Sequence, residues 1–240
     1  MNVAIHIVSL PASTERREYF SSQMARINVP WSFFDARTAL PDGLSYDAKR
    51  ALWFRGRTLT AGELGCFASH FVLWQSLVRD PDCDAYCIIE DDVVLDWSFF
   101  SSASDFPELF GDHGFVRFYA KLPVPMTTVG AAGRRHLVRF KRPPYGTQGY
   151  YISKSAAAKF LASITEVVRP IDDEIDRVWA HGVPSIGVFP FPLFELGLAS
   201  TIEDQRRATV RLTGSDLWKR LLARSREKLR KVIHFRSFRV

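Results

Sequence analysis

Cysteine is scarce in this 240-residue chain. The three present, Cys66, Cys83 and Cys87, cannot all pair, and no Cys/His spacing of metal-binding type appears among them. A disulfide-stapled secreted scaffold is therefore excluded, and reduced thiols in a cytoplasm are expected. Long apolar runs are missing too. The N-terminus, "MNVAIHIVSLP", has no basic leader and meets Pro11 too early for a signal peptide or a membrane span. There is no internal repeat and no low-complexity linker. With 47% hydrophobic, 13% aromatic and 24% charged residues, disorder is excluded as well: the chain has material for one large core or two small intimate ones.

Charge is unevenly placed. From Asp216 to Val240 nine Lys or Arg face only Asp216 and Glu227, a net of +7. The whole chain is +6, so residues 1–215 carry −1, and the pI near 9.4 belongs to the tail. The expected division is a globular domain over 1–215 and a basic amphipathic helix or tail over 216–240.

Local patterning predicts an α/β layer fold with a mostly parallel central sheet. "VAIHIVSL" is β-branched and apolar, a strand covered on both faces and ended by Pro11. "STERREYF" into "SSQMARINV" reads as a helix capped by Ser13 or Thr14. "WSFFDAR" is a second strand and "ALPDGLSYD" a loop. "TAGELGCFASHFVLWQSLV" spaces Leu64, Phe67, Phe71, Trp74, Leu77 and Val78 helically behind a Thr60 cap. "DPDCD" breaks it before "AYCIIEDDVVL". Further on come a strand at "HLVRF", another at "GYYIS", a helix at "KSAAAKFLASI", a helix through "RPIDDEIDRVWAHG" closed by Gly182, and a proline-interrupted strand at "SIGVFPFPLF".

The acidic run inside "CIIEDDVVLD" carries the chemistry. On an extended strand Glu90 and Asp92 share a face and Asp91 takes the other. Three carboxylates so close raise one another's pKa unless a cation or hydrogen-bond donors hold them ionised. Mg²⁺ or Mn²⁺ suits such oxygens, with substrate phosphates supplying the remaining ligands. Asp172 and Asp173 follow Pro170 at a helix start, where the positive end of the helix favours the ionised form; capping alone would also account for them.

These segments resemble glycosyltransferase family 25, the lipooligosaccharide galactosyltransferase type. The matching residues are Gly62, Glu63, Gly65, Cys66, Ser69, His70, Trp74, Glu90, Asp91, Asp92 and Val93, preceded by "IVSLPASTERR" and followed in order by "YGTQGYYISKSAAAKFL", "PIDDEID" and "LASTIEDQR". The resemblance covers roughly residues 3–207, and the basic tail lies outside it. It implies a GT-A-like nucleotide-diphospho-sugar transferase fold. It also implies transfer of a hexose, galactose ahead of glucose, from a UDP-sugar with inversion to a lipooligosaccharide or related glycan. The acidic run stands where that fold keeps its metal-binding motif, so Asp92 and Glu90 are the expected ligands of Mn²⁺ or Mg²⁺. Leu10, Arg16, Ser69, His70, Glu90, Asp91, Thr147 and Gln148 are the expected donor-site residues. Ser200 and Thr201 match in type. Inversion needs a base opposite the leaving group, and Asp172, with Asp173 as the alternative, fills that role.

Two other classes remain open on sequence. A metal-dependent phosphoryl-transfer enzyme of nuclease type would draw carboxylates from separate segments, and Asp172, Asp173 and Asp176 are candidates. A binding role for the tail is the other. The body's −1 charge argues against nucleic acid, whereas "DLWKRLLARSREKLRKVIHF" lines apolar residues along one side among cations, as a peripheral helix does on the anionic inner face of a cytoplasmic membrane. A terminal helix packing that stripe on the domain is the simpler alternative.

Overall fold

The apolar runs become the middle of a sheet. In a computed structural model that describes residues 1–197 and 214–236, the elements are β1 (Val3–Ser9), α1 (Thr14–Met24), β2 (Trp31–Asp35), β3 (Ser45–Tyr46), α2 (Ala48–Arg55), α3 (Ala61–Arg79), β4 (Ala85–Glu90), β5 (Val93–Leu95), α4 (Trp97–Phe100) and α5 (Phe106–Phe110). They continue with β6 (Phe115–Arg117), β7 (Met126–Ala132), β8 (Arg135–Phe140), β9 (Gly149–Ser153), α6 (Lys154–Ser163), β10 (Glu166–Val167), α7 (Ile171–Ile175), α8 (Val178–His181), β11 (Ile186–Phe189), β12 (Leu193–Glu195) and α9 (Ser215–Arg236).

Eight strands form one sheet in the order β2-β1-β4-β9-β6-β11-β8-β7. The stretch β2-β1-β4 is parallel. Beyond it β9 runs against both β4 and β6, β11 runs with β6, and the β7–β8 hairpin closes the edge. The sheet expected to be mostly parallel is therefore mixed: β2-β1-β4 and β6-β11 are parallel, and the insertion of β9 and the β7–β8 hairpin makes the remaining pairs antiparallel. β4 shows why its run is apolar on both sides: Ala85, Cys87 and Ile89 enter the core beneath α1, α4 and α5, while Tyr86 and Ile88 enter the core beneath α3 and α6. Such double burial yields about 1.5–3 kcal/mol for each large side chain.

α3 begins where its sequence says. Thr60 Oγ1 accepts the Glu63 N–H, and the Glu63 carboxylate accepts the Thr60 N–H, a capping box. Arg57 then holds the same carboxylate at 2.6 and 2.7 Å. Three elements differ from expectation. α2, opened by Asp47 and closed by Gly56 in the left-handed region, lies where no helix is expected, because its eight residues offer little apolar periodicity. The strand entering the acidic run stops at Glu90, so alternation of faces does not extend to Asp91 and Asp92. The helix expected through residues 170–182 splits into α7 and α8, because the Asp176 side chain turns inward to Arg117 and to the Tyr145 N–H.

α9 docks on α2 and α8 through polar contacts. Trp53 Nε1 donates to Asp216, Arg220 donates to the Leu52 carbonyl, and Arg177 and Trp179 Nε1 donate to Glu227 at 2.5 and 3.1 Å. Trp179 also packs against His234 and Phe235. It belongs to this seam.

His181 supplies a pH-dependent term in stability. Its Nδ1 accepts the Val183 N–H at 3.1 Å and its Nε2 bonds the Ile175 carbonyl at 3.0 Å, so the neutral ring is fully used. Burial, ahead of nearby Arg177 and Arg117, pushes its pKa down to about 4. The unfolded chain binds this proton near pH 6.5 and the folded chain does not, so stability falls as pH drops from about 6.5 to about 4, by up to about 3 kcal/mol from this group. His181→Gln is expected to show a shallower fall in Tm over that range. A fall as steep as the parent's would remove His181 from the account.

Candidate active site

The carboxylates gather at the carboxyl ends of β1 and β4. Glu90 closes β4, and its N–H donates to the Gln148 carbonyl at 2.9 Å, which ties the acidic turn to the loop before β9. Thr147 Oγ1 donates to Glu90 Oε1. Behind it, His70 Nε2 stands 3.6 Å from the same oxygen. His70 Nδ1 shares a 2.7 Å hydrogen bond with the Tyr150 hydroxyl, which also accepts from Trp74 Nε1 at 3.0 Å. Burial pushes Glu90 up, but His70, Thr147 and Lys121 outweigh it and its pKa lies below the ordinary value.

Asp91 turns the other way. Ser9 Oγ donates to it at 2.5 Å and Arg16 approaches at 3.3 Å, so it clamps the end of β1 and the first turn of α1 to the acidic turn. Arg17 holds the Ser9 carbonyl at 2.9 Å and Asp35 at 2.5 Å. Asp92 is held by its backbone, whose carbonyl accepts the Leu196 N–H at 2.9 Å just beyond β12. Its Oδ1 is buried with no hydrogen-bond partner among the described residues, and the same holds for His70 Nε2 and Gln148 Oε1. Burial, then Glu90 and Asp91, push Asp92 up to about 7.

A buried polar atom with no partner is costly and rare; His70 Nε2 has the Glu90 carboxylate at 3.6 Å, and the Asp92 and Gln148 oxygens on either side of that pair mark a place for a ligand. Carboxylate and imidazole donors fit a divalent cation of the Mn²⁺ type. Among the described residues, Cys66, His70 and Glu90 are the group whose ligating atoms lie within 4.8 Å of one another. This corrects the sequence reading of the cysteines, because Cys66 and His70 sit four apart on α3 and share a face. Burial, followed by Glu90, raises the Cys66 thiol well above its ordinary value, so it stands as a neutral thiol at the wall of the site.

The loop before β9 is shaped for this place. Tyr145 and Gly146 both take positive φ, 55° and 85°. That is strained for tyrosine, whose N–H is held by Asp176 at 2.9 Å. A Cβ at Gly146 would meet Gln148 Oε1 at 2.5 Å, so only glycine lets Thr147 and Gln148 turn toward Glu90. Tyr119, donating to Glu195 at 2.7 Å, stands on the same side, and Glu195 adds to the charge felt by Asp92.

Asp172 and Asp173 separate in role. Asp173 pairs with Arg55, and burial raises its pKa to about 6. Asp172 Oδ1 accepts the Asp173 N–H at 2.9 Å, and its charge, with those of Glu90 and Asp92, acts on Cys66. Asp172 thus lies within electrostatic reach of Cys66 at the wall of the cluster, while the Asp173 carboxylate is engaged by Arg55. Asp176 is consumed by a buried pair with Arg117 at 2.6 Å, which removes it from the carboxylates of a nuclease-like site.

Two expected donor-site residues have other tasks. Ser69 is fully buried; its hydroxyl donates to the Gly65 carbonyl and accepts the Arg37 N–H, both at 2.8 Å, so it fastens the segment after β2 to α3 and has no proton left for a donor. Gly65 permits that approach, since a Cβ there would lie 2.5 Å from the Arg37 carbonyl. His70, fully buried, supports Glu90 from behind. Leu10 is exposed beside Ser9, its carbonyl accepting the Ser13 N–H. Ser200 and Thr201 lie outside the described residues. Tyr150, bonded to His70, is unremarkable locally, and no spacing links it to Glu90; Ser9 lies in the segment that resembles the family's opening strand, but nothing local pairs it with Asp91.

An open α/β sheet with a carboxylate cluster at the carboxyl ends of its parallel strands is the layout of an enzyme that binds its ligand at that edge. Residues 2–175 match the model of glycosyltransferase family 25 (LPS biosynthesis protein), and the chain belongs to that family, with the α/β architecture expected of its sequence. It is similar to the lipooligosaccharide biosynthesis protein lic2B of Haemophilus influenzae, 28% identical over 66% of this chain and 62% of that protein. It is also similar to the lacto-N-neotetraose biosynthesis glycosyltransferase LgtB of Neisseria meningitidis serogroup B, 29% identical over 70% of this chain and 65% of that one. The chain thus spans less than two thirds of these relatives' lengths. Among solved structures, a glycosyltransferase involved in glycosylating the major capsid of PBCV-1 is similar at TM-score 0.34 and 10% identity, over 66% of this chain and 62% of that one.

Proposed function

We propose that this chain transfers a hexose, galactose ahead of glucose, from a UDP-sugar to a lipooligosaccharide or related glycan with inversion at the anomeric carbon. The observation that carries the reading is the buried Asp92 carboxylate oxygen beside Glu90, which has no hydrogen-bond partner among the described residues, in a chain of family 25. Asp92 and Glu90 would hold Mn²⁺ or Mg²⁺, which supplies charge neutralisation on the leaving diphosphate. Arg16 and Asp91 would orient the nucleotide, and Thr147 and Gln148 the sugar. Asp172 takes the proton of the acceptor hydroxyl as that oxygen attacks the anomeric carbon. The bond to the diphosphate breaks on the opposite face, UDP leaves with the electron pair, and an α-linked donor gives a β-linked product. Work on a lipid-carried glycan suits the inner face of the cytoplasmic membrane. No described helix is long and apolar enough to cross a membrane.

The test is thermal unfolding with a panel of nucleotide sugars, with and without Mn²⁺. At about one hundred times the dissociation constant a ligand stabilises by about 2.7 kcal/mol, a rise of roughly 5–10 °C for a chain of this size. UDP-galactose or UDP-glucose with Mn²⁺ is expected to produce it. No shift with any uridine nucleotide would overturn the reading.

A further inference from the structure

α9 turns the wrong side outward for a helix that merely packs on its domain. A helix advances about 100° per residue. Asp216, Arg220 and Glu227 therefore share one side, the side bonded to Trp53, Leu52 and Arg177. The opposite side is a ridge of large apolar residues open to water: Trp218 is 71% exposed, Leu221 57%, Leu222 58%, Leu229 60% and Ile233 60%. An apolar ridge of this length left in solvent marks an interaction surface.

The flanks identify what covers it. Lys219, Arg226 and Arg230 run along one edge of the ridge and Arg224, Lys228 and Lys231 along the other. Both acidic residues of the helix, Asp216 and Glu227, are on the docked side and engaged there. The outward half thus carries apolar and cationic groups with no carboxylate. Along the first edge, between α2 and α9, lies a groove of about 430 Å³ lined by Trp53, Lys219, Leu222, Arg226 and Arg230, with Glu227, already bonded to Arg177 and Trp179, as the one carboxylate in its wall among the described residues. Lys219 stands over the Trp53 ring at 5.2 Å, and Arg226 and Arg230 form no ion pair among the described residues. Cations around an opening with an apolar floor fit a phosphate that carries a hydrocarbon tail. Nucleic acid would match the cations but not five large apolar side chains between them.

We infer that α9 is a membrane-surface helix: it lies in the headgroup plane of an anionic bilayer with its ridge in the acyl boundary, and the α2–α9 groove seats a phospholipid phosphate between Lys219, Arg226 and Arg230. Because Glu227 is bonded to Arg177 and Trp179 on the body of the chain, such docking orients the whole catalytic domain over the lipid surface. The inference stands apart from the donor and acceptor assignments, and its test uses neither.

The experiment is co-sedimentation of the full chain with vesicles of phosphatidylcholine alone and of phosphatidylcholine with phosphatidylglycerol. Binding is expected only to the second and is expected to weaken with salt. Arg226→Gln with Arg230→Gln should weaken it about 30-fold, roughly fivefold for each charge removed near the surface. Trp218→Ser with Leu229→Ser should weaken it about a hundredfold or more. Arg26→Gln with Arg134→Gln, two exposed charges off this face, should leave it unchanged. Circular dichroism and Tm of each variant should match the parent, since the altered side chains point away from the core. Equal binding to neutral vesicles, a groove variant no weaker than the control, or a ridge variant that binds like the parent would overturn the inference. So would a dimer in solution that the ridge substitutions dissolve without any vesicle binding, which would make the ridge a contact between two copies.

Discussion

Asp92→Asn is expected to leave the fold intact and to remove most transfer. The substitution keeps volume and shape, and the backbone carbonyl that accepts the Leu196 N–H is unaffected. Burial together with Glu90 and Asp91 already pushes the carboxyl up to about 7, so its charge is a burden on the unliganded protein. Tm of the variant should equal or slightly exceed the parent's at neutral pH. Under the proposed function the same charge would be needed to hold a cation against the donor diphosphate. Losing one preorganised partner of developing charge lowers turnover by about two to three orders of magnitude. The Mn²⁺-dependent part of UDP-sugar stabilisation should vanish with it. Unchanged turnover at saturating Mn²⁺ would remove Asp92 from the reaction and with it the centre of the proposed site.

Asp172→Asn carries the second large effect and separates chemistry from binding. If Asp172 accepts the acceptor proton, its amide cannot, and transfer should fall by roughly two to four orders of magnitude. Stabilisation by UDP-sugar with Mn²⁺ should persist, because the base acts on the acceptor. Asp173→Asn is the internal comparison. That carboxylate is occupied by Arg55, so turnover should stay within a few-fold of the parent. Turnover lost in the Asp173 variant and kept in the Asp172 variant would reverse the two roles. Collapse of donor-dependent stabilisation in Asp172→Asn would instead move that residue to the donor site and leave the base elsewhere.

Much of this was legible because it is local. A doubly apolar run such as Ala85–Ile89 can only be a strand covered on both faces, and Thr60 with Glu63 fixes the start of α3 within four residues. The acidic run was conspicuous for the same reason: three carboxylates next to fully apolar neighbours have no structural excuse. α2 escaped notice because its eight residues make a helix largely by packing under α9, which follows more than 150 residues later.

The sequence by itself determined the succession of elements, the carboxylates at the end of β4 and the amphipathic character of α9, since periodicity, capping and charge run are properties of neighbouring residues. Tertiary structure alone decided what each group faces. β9, folded from residues more than fifty positions after β4, inserts antiparallel beside it and brings Thr147, Gln148 and Tyr150 to Glu90 and His70. Ser9 meets Asp91 across 82 positions, turning one of three apparently equivalent carboxylates into a clamp, while Asp92 Oδ1 has no hydrogen-bond partner among the described residues. Ser69 is drawn off by Arg37, and Asp173 by Arg55. The direction of the α9 ridge was decided the same way, because periodicity gives a helix two faces but only the carboxylate, arginine and tryptophan contacts at Asp216 and Glu227 say which one meets the domain. Each of these choices depends on a pairing between distant segments, and no local pattern encodes the partner.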